Sequence, residues 1–280
     1  MIKLGCMSLS YKDEFAAGRL DLEGFIERAY ALRLDGIDIH TRALASTEPA
    51  YLRNIRWLAM KRGLALSYIG VSNDFGKAEA ALDEEVAKAK GWIDVASFMG
   101  IPLVRVFAAW IHDDEPRDAV WARMIPRLRE LAEYGEEKGV WIGLHNHNHG
   151  CVTATGPDVL RILKEVDHPY FTHILDCGQY VGSPGASGSR GVEDPSLDFY
   201  GSIALTAPYA VHVRAKVYRI QTGEEKWLNY PRILEILRGV NYNGWMSIVY
   251  EGQDAEAEAT AVPKAVAYLR RVIQESGLGA

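Results

Sequence analysis

Long hydrophobic runs are missing from this 280-residue chain. No stretch of about 18 apolar residues occurs, so no transmembrane helix and no membrane partner are expected. Met1 leads straight into the strand-like stretch Ile2–Leu9. The charged region and longer apolar run of a signal peptide are absent there, which points to a cytoplasmic protein. Cysteine is scarce: Cys6, Cys151 and Cys177 are too few and too scattered for a disulfide framework or a zinc ribbon, and they suit a reducing compartment. No long Lys/Arg cluster appears and the formal net charge is −6, so the electrostatic footprint of a nucleic-acid binder is lacking. Gly-x-Gly-x-x-Gly does not follow the first strand-like stretch, which argues against a dinucleotide-binding doubly wound sheet.

What is present is a regular alternation of strand and helix. The apolar fraction of 48% is ample for a core. Strand patterns fall at Lys3–Ser10, Asp35–Thr41, Leu64–Val71, Pro102–Trp110, Val140–Asn148, Phe171–Cys177, Ala210–Val217 and Gly244–Glu251. Between them the helical spacing predicts Asp21–Leu34, Pro49–Arg62, Lys77–Met99, Asp118–Lys138, Pro157–Val166, Leu197–Ala207, Tyr230–Arg238 and a closing helix at Ala255–Ser276. Gly63, Gly100 and Gly139 stop three of these helices. Eight β/α units with no composition break predict an α/β protein, a (β/α)8 TIM barrel of one domain over 1–280. The Gly/Ser/Pro-rich stretch 182–191 is expected to be an active-site lid loop.

In such a barrel the chemistry sits at the carboxyl ends of the strands. Strand five carries His145, His147 and His149 at every second position, and alternate side chains share a face. Strand six ends in Asp176, strand seven carries His212, Arg214 and Lys216, and strand eight ends in Glu251. His145, Asp176, His212 and Glu251 thus come from four successive strands. Two nitrogens and two carboxylates suit Mn²⁺, Co²⁺, Fe²⁺ or Zn²⁺ better than Ca²⁺. His40, Arg105, Trp110, Gln179, Arg214 and Lys216 are the candidate substrate-binding groups, with Trp110 and Trp227 available to stack on a sugar face. The remaining histidines have plainer readings. His112 is expected in a solvated loop, His168 in a turn, His173 facing the helices, and His149 at the strand end. Cys177 is expected to pack against a helix, Asp38 and His40 to form a buried polar pair, and Asp113-Asp114-Glu115 to be a solvated loop.

The chain resembles the xylose isomerase-like TIM-barrel superfamily of sugar isomerases and epimerases, over essentially its whole length. The resemblance is carried by Ile174-Leu175-Asp176-Cys177-Gly178, Val211-His212-Val213-Arg214, and Tyr242-Asn243-Gly244-Trp245 leading to Tyr250-Glu251-Gly252. It implies one divalent ion, manganese first, with cobalt, iron, zinc or magnesium as substitutes. In the superfamily Glu, Asp, His and Glu from strands five to eight hold that ion. Asp176, His212 and Glu251 match directly. The usual Glu-Asn-His triplet reads His145-Asn146-His147 here, so an imidazole replaces a carboxylate. Gln179 stands where many members have a substrate-holding His. A homodimer or homotetramer is also implied.

The implied activity is that of a metal-dependent isomerase, either an epimerase or an aldose–ketose isomerase. It would act on a keto-sugar or keto-polyol through an enediolate. Glu251 would be one base and His145 or His147 the other acid/base group, with His147 the better candidate if His145 binds the ion. With no phosphate-cradling motif, the expected partner is an unphosphorylated small-molecule sugar or polyol. Three alternatives stand beside this reading. One is a lyase or hydrolase that cleaves a 3-keto-glycoside by the same enolate chemistry. Another is a non-catalytic sugar-binding homologue. The third is an enzyme like the DNA-repair endonuclease branch of the superfamily, which needs a multi-zinc site and a surface that tolerates phosphates.

Overall fold

A computed structural model describes residues 1–112, 115–186, 190–252 and 255–279. Among them eight strands occur: β1 (Lys3–Met7), β2 (Gly36–His40), β3 (Ala65–Gly70), β4 (Leu103–Val106), β5 (Trp141–His145), β6 (Phe171–Asp176), β7 (Ala210–Val217) and β8 (Trp245–Tyr250). They follow one another in sequence order around a closed barrel, the (β/α)8 architecture that the unit count predicts. The helices described are α1 (Lys12–Ala16), α2 (Leu22–Ala31), α3 (Pro49–Lys61), α4 (Glu79–Met99), α5 (Arg117–Lys138), α6 (Gly156–Val166), α7 (Phe199–Thr206), α8 (Tyr230–Gly239) and α9 (Glu258–Glu275). None is long and apolar enough to cross a membrane.

The chain divides into two compact units, one of Met1–Ser67 with His212–Ala280 and one of Tyr68–Val211. In the first unit β1 pairs in parallel with β2 and with β8, and β7 pairs with β8. Met246 and Ile248 pack toward the helices, and Gly5 and Ser247 lie side by side in the register. A Cβ on Gly5 would come within 2.5 Å of Ser247 Oγ. The sequence predicts a strand to Ser10, but β1 stops at Met7. Ser8 and Ser10 redirect the chain there into a short 3-10 turn. Ser8 Oγ accepts from His40 N (2.9 Å), and Ser10 Oγ donates to Ile248 O (2.9 Å) and accepts from Tyr250 N (3.1 Å).

In the second unit β4, β5 and β6 pair in sequence, with Arg105 beside Gly143 and His145 beside Ile174. Valines 104 and 106 with Ile142 and Leu144 are fully buried. At Gly143 a Cβ would meet Ile174 at 2.7 Å, so the glycine is what lets the Ile174 side chain pack against β5. Gly100 (φ 71) and Gly139 (φ 70) end α4 and α5 in left-handed caps, as predicted. Strand four is shorter than its apolar run. Past Val106 the backbone pairs with side chains: Asn73 Oδ1 accepts from Phe107 N (2.9 Å), and Asp74 Oδ1 accepts from Trp110 N (3.0 Å).

Of the expected lid, residues 187–189 lie outside the described residues. Its described flanks bond to one another, with Gly191 N donating to Pro184 O (2.8 Å) and Asp194 N to Gly182 O (3.0 Å). Asp113 and Asp114 also lie outside the described residues. Glu115 is not simply solvated, because it forms a two-pronged ion pair with Arg123 that holds its carboxyl below the usual range. His112 likewise has a partner, Asp74 Oδ2 at 2.6 Å from its Nε2.

Candidate active site

Strand five ends at His145, three residues before the predicted end at Asn148. The Thr153 hydroxyl causes this. It donates to His145 O (3.1 Å) and accepts from His147 N (3.1 Å), which takes the backbone out of the ladder. The three imidazoles nevertheless stay in file, with ring centroids 5.7 Å apart from His145 to His147 and 5.2 Å apart from His147 to His149. Phe107 packs on His145 (5.1 Å) and edge-on to His147 (5.3 Å), and Trp110 lies 4.9 Å from Phe107 and 5.8 Å from His147. The Arg105 guanidinium covers the Phe107 ring at 4.2 Å. His147 Nδ1 lies 2.9 Å from Asn148 O. A carbonyl only accepts, so Nδ1 carries the hydrogen and the lone pair of neutral His147 belongs to Nε2.

Beside this file stands Asp176, fully buried at the end of β6. Its Oδ2 meets His145 Nε2 at 3.1 Å, and its Oδ1 accepts from Gly178 N (3.0 Å). Asn146 fixes the backbone of Asp176 from both sides. Its Nδ2 donates to Asp176 O (3.0 Å), and its Oδ1 accepts from Asp176 N (2.7 Å). Gln179 follows, buried, with no hydrogen-bond partner for Oε1 among the described residues. His173 faces the helices as expected. Its Nδ1 bonds Leu144 O (2.9 Å), and burial lowers its pKa to about 4. Burial also raises the three thiols, Cys6 to about 12, so none is a thiolate nucleophile at neutral pH.

The first unit contains the other predicted groups, at different heights. In the β7–β8 register His212 lies beside Trp245, Arg214 beside Ser247 and Lys216 beside Val249. Glu251 N donates to Val217 O (2.8 Å). At about 3.3 Å per residue, His212 and Glu251 are therefore separated by roughly 20 Å along the strands. His212 is buried low in β7. Its Nε2 lies 3.3 Å from Asp38 Oδ1, 3.3 Å from Ser247 Oγ and 3.4 Å from Ser67 Oγ. Asp38 thus pairs with His212 and with Ser67, not with His40. The buried Lys216 ammonium forms an ion pair with Glu251. Arg214, between these layers, is buried. His40 caps a turn through Nδ1, accepting from Arg42 N (3.2 Å), and lines a cavity of about 410 Å³ with Lys12 and Arg42. Trp227 packs under Arg219 (4.2 Å) in a loop whose backbone N–H groups converge on the buried Glu225.

These placements test the expected ion set. Among the described residues, no group of three or more His, Cys, Asp or Glu side chains is arranged to hold a metal. Within the first unit, the strand register keeps His212 out of reach of an ion at Glu251, and the Glu251 carboxylate is held by Lys216. Within the second unit, His145 Nε2 and Asp176 Oδ2 pair with each other. His212 and Glu251 therefore do not share one ion, and the expected ion set does not fit as a whole.

A family model described as the xylose isomerase-like TIM barrel matches residues 26–272. The chain belongs to this family. Several solved structures share the fold. D-psicose 3-epimerase from Clostridium cellulolyticum H10 matches at TM-score 0.76 and 16% identity, over 100% of both chains. D-allulose 3-epimerase from Methylomonas sp. matches at 0.73 and 17%, over 97% of this chain and 98% of that one. The 3-keto-D-glucoside 4-epimerase of E. coli matches at 0.73 and 17%, over 97% and 100%. No curated protein sequence matches the chain.

Some contributors to these clusters are invisible to strand alternation. Asn146 faces away from the histidine file by parity, and its clamp depends on β6. Phe107 reads as an ordinary core aromatic. Ser67 and Ser247 carry no motif, and only the register brings them to His212.

Proposed function

We propose that this protein is an isomerase or epimerase of an unphosphorylated keto-sugar or keto-polyol. It removes and returns a proton on the carbon next to the carbonyl, through an enediolate. The observation that carries this reading is the state of His147. Its hydrogen is committed to Asn148 O, its basic nitrogen is Nε2, and its ring packs edge-on against both Trp110 and Phe107, next to the His145–Asp176 pair. An imidazole so placed takes and gives a proton near neutral pH. His145 donates to Asp176 and orients the file, and the Trp110–Phe107 surface receives the apolar face of a sugar. Glu251 is proposed as the second proton-transfer group, as in the family, with the Lys216 ammonium paired to its carboxylate. Arg105, Arg214, Lys216, Gln179 and His40 are proposed to hold substrate oxygens. Because the expected ion set does not fit, none of these roles is routed through a metal.

The sugar-epimerase names of the structural neighbours support the same substrate class. The test is solvent-deuterium incorporation into a panel of keto-sugars. Incorporation that is lost in both His147→Ala and Glu251→Gln supports the reading. An active enzyme with undiminished exchange in His147→Ala overturns it.

A further inference from the structure

Phe107 and Trp110 pack on the histidine file, yet both lie beyond the end of β4 at Val106. Their backbone is held by the loop between β3 and α4, residues 71–78. Buried Asn73 grips Phe107 twice: its Oδ1 accepts from Phe107 N (2.9 Å), and its Nδ2 donates to Phe107 O (2.8 Å). Asp74 Oδ1 accepts from Trp110 N (3.0 Å) and from Gly76 N (2.8 Å). Phe75 N donates to Ala108 O (3.0 Å). Gly76 lies directly on the Trp110 backbone, where a Cβ would collide with the Trp110 carbonyl. The loop is itself anchored from behind. Buried Glu85 on α4 accepts from Asp74 N through Oε2 (3.0 Å) and pairs with Lys77 through Oε1 (2.6 Å). The other oxygen of Asp74, Oδ2, lies 2.6 Å from His112 Nε2.

A stacking surface adds most to affinity when its rings are fixed before the ligand arrives. The Trp110 ring is rooted in the segment that Asp74 grips, and it meets Phe107 at 4.9 Å and His147 at 5.8 Å. We propose that Asp74 is a positioning residue of this site. It acts through the Trp110 backbone and sets that ring against Phe107 and His147, so that the aromatic surface stands ready before a sugar binds. The sugar rests on the proposed function above, whereas the positioning is testable without turnover. The role needs an acceptor at Oδ1 and not a negative charge. An asparagine there accepts from both N–H groups through Oδ1, and its Nδ2 can donate to His112 Nε2 once that imidazole carries its hydrogen on Nδ1. Asp74→Asn is therefore expected to preserve the site and Asp74→Ala to loosen it.

The test is fluorine NMR of protein labelled with 5-fluorotryptophan, with the Trp110 signal assigned by its loss in Trp110→Phe. In Asp74→Ala the Trp110 signal is expected to shift and broaden while the other tryptophan signals stay in place. Binding of sorbitol, which has no carbonyl to react, is expected to weaken about tenfold, roughly the value of one aromatic contact. In deuterium exchange the KM for a keto-sugar rises by a similar factor with kcat largely kept, the pattern of lost uniform binding. Asp74→Asn restores all three readouts. If Asp74→Ala does not fold, Gly76→Ala disturbs Trp110 from the same loop and is read in the same way. An unmoved Trp110 signal in the folded variant overturns the proposal. So does an Asp74→Asn protein as impaired as Asp74→Ala. If the Trp110 signal moves but the wild type neither binds sorbitol nor exchanges deuterium, the positioning stands and the proposed reaction falls. If the wild type exchanges and Asp74→Ala matches it in every readout, the reaction stands and the positioning falls.

Discussion

Strands five and seven each present polar side chains at every second position, His145-His147-His149 in one and His212-Arg214-Lys216 in the other. Their fates differ because the strands differ in length. β5 stops at His145, and the turn held by Thr153 keeps the next imidazoles within ring contact. β7 runs on to Val217, so each of its polar residues occupies its own layer and meets its own partners. Alternation reports which face a side chain takes. Register reports its height, and height decides whether two groups share a site. The β5 run therefore forms a cluster, and the β7 run is divided between a buried structural network and an ion pair with Glu251.

Substitutions in the two runs separate these roles. His147→Ala should reduce deuterium exchange by about 10²–10⁴-fold, the usual contribution of a general acid/base group, with little change in melting temperature. His212→Leu should do the reverse. It leaves Asp38, Ser67 and Ser247 without their shared partner, and the expected loss is ~3 kcal/mol of stability by chemical denaturation. Its divalent-ion content by elemental analysis should equal that of the wild type. A fall in bound ion in that variant would restore His212 to an ion site.

Acid sensitivity offers a third contrast, at His173. Burial holds its folded pKa at about 4, below the ordinary value of 6.5. Between pH 6.5 and 4 the unfolded chain binds a proton that the folded chain does not. Stability should therefore fall as pH falls through that window, by about 3 kcal/mol from this residue. His173→Gln, compared with wild type by urea titration across the same window, should lose less. Equal slopes would show that His173 is protonated in the folded state.

The smallest expected effect is at Asn146. Asn146→Ala frees the backbone N–H and C=O of Asp176, at an expected cost of ~2 kcal/mol. Deuterium exchange should slow less than in His147→Ala, because Asn146 acts only by positioning Asp176. Measuring exchange and melting temperature on the same samples checks this.

Much of the molecule was legible in the sequence for a physical reason. Glycine stops and apolar periodicity are local, so the eight β/α units and their order could be read directly. Strand ends were not legible where a distant side chain replaces a ladder bond. Asn73 and Asp74 end β4, and Thr153 ends β5. Height around the barrel was not legible either. His212 in Val-His-Val-Arg has the right face and the right residue type, and only its pairing with Trp245 shows that it lies far from Glu251.

The most direct test of the account sets His147→Ala against His212→Asn, with solvent-deuterium exchange into keto-sugars and thermal unfolding measured on each. The account predicts exchange abolished with melting temperature kept for His147→Ala, and exchange kept with melting temperature lowered for His212→Asn. Exchange that survives in His147→Ala and disappears from a folded His212→Asn would contradict it.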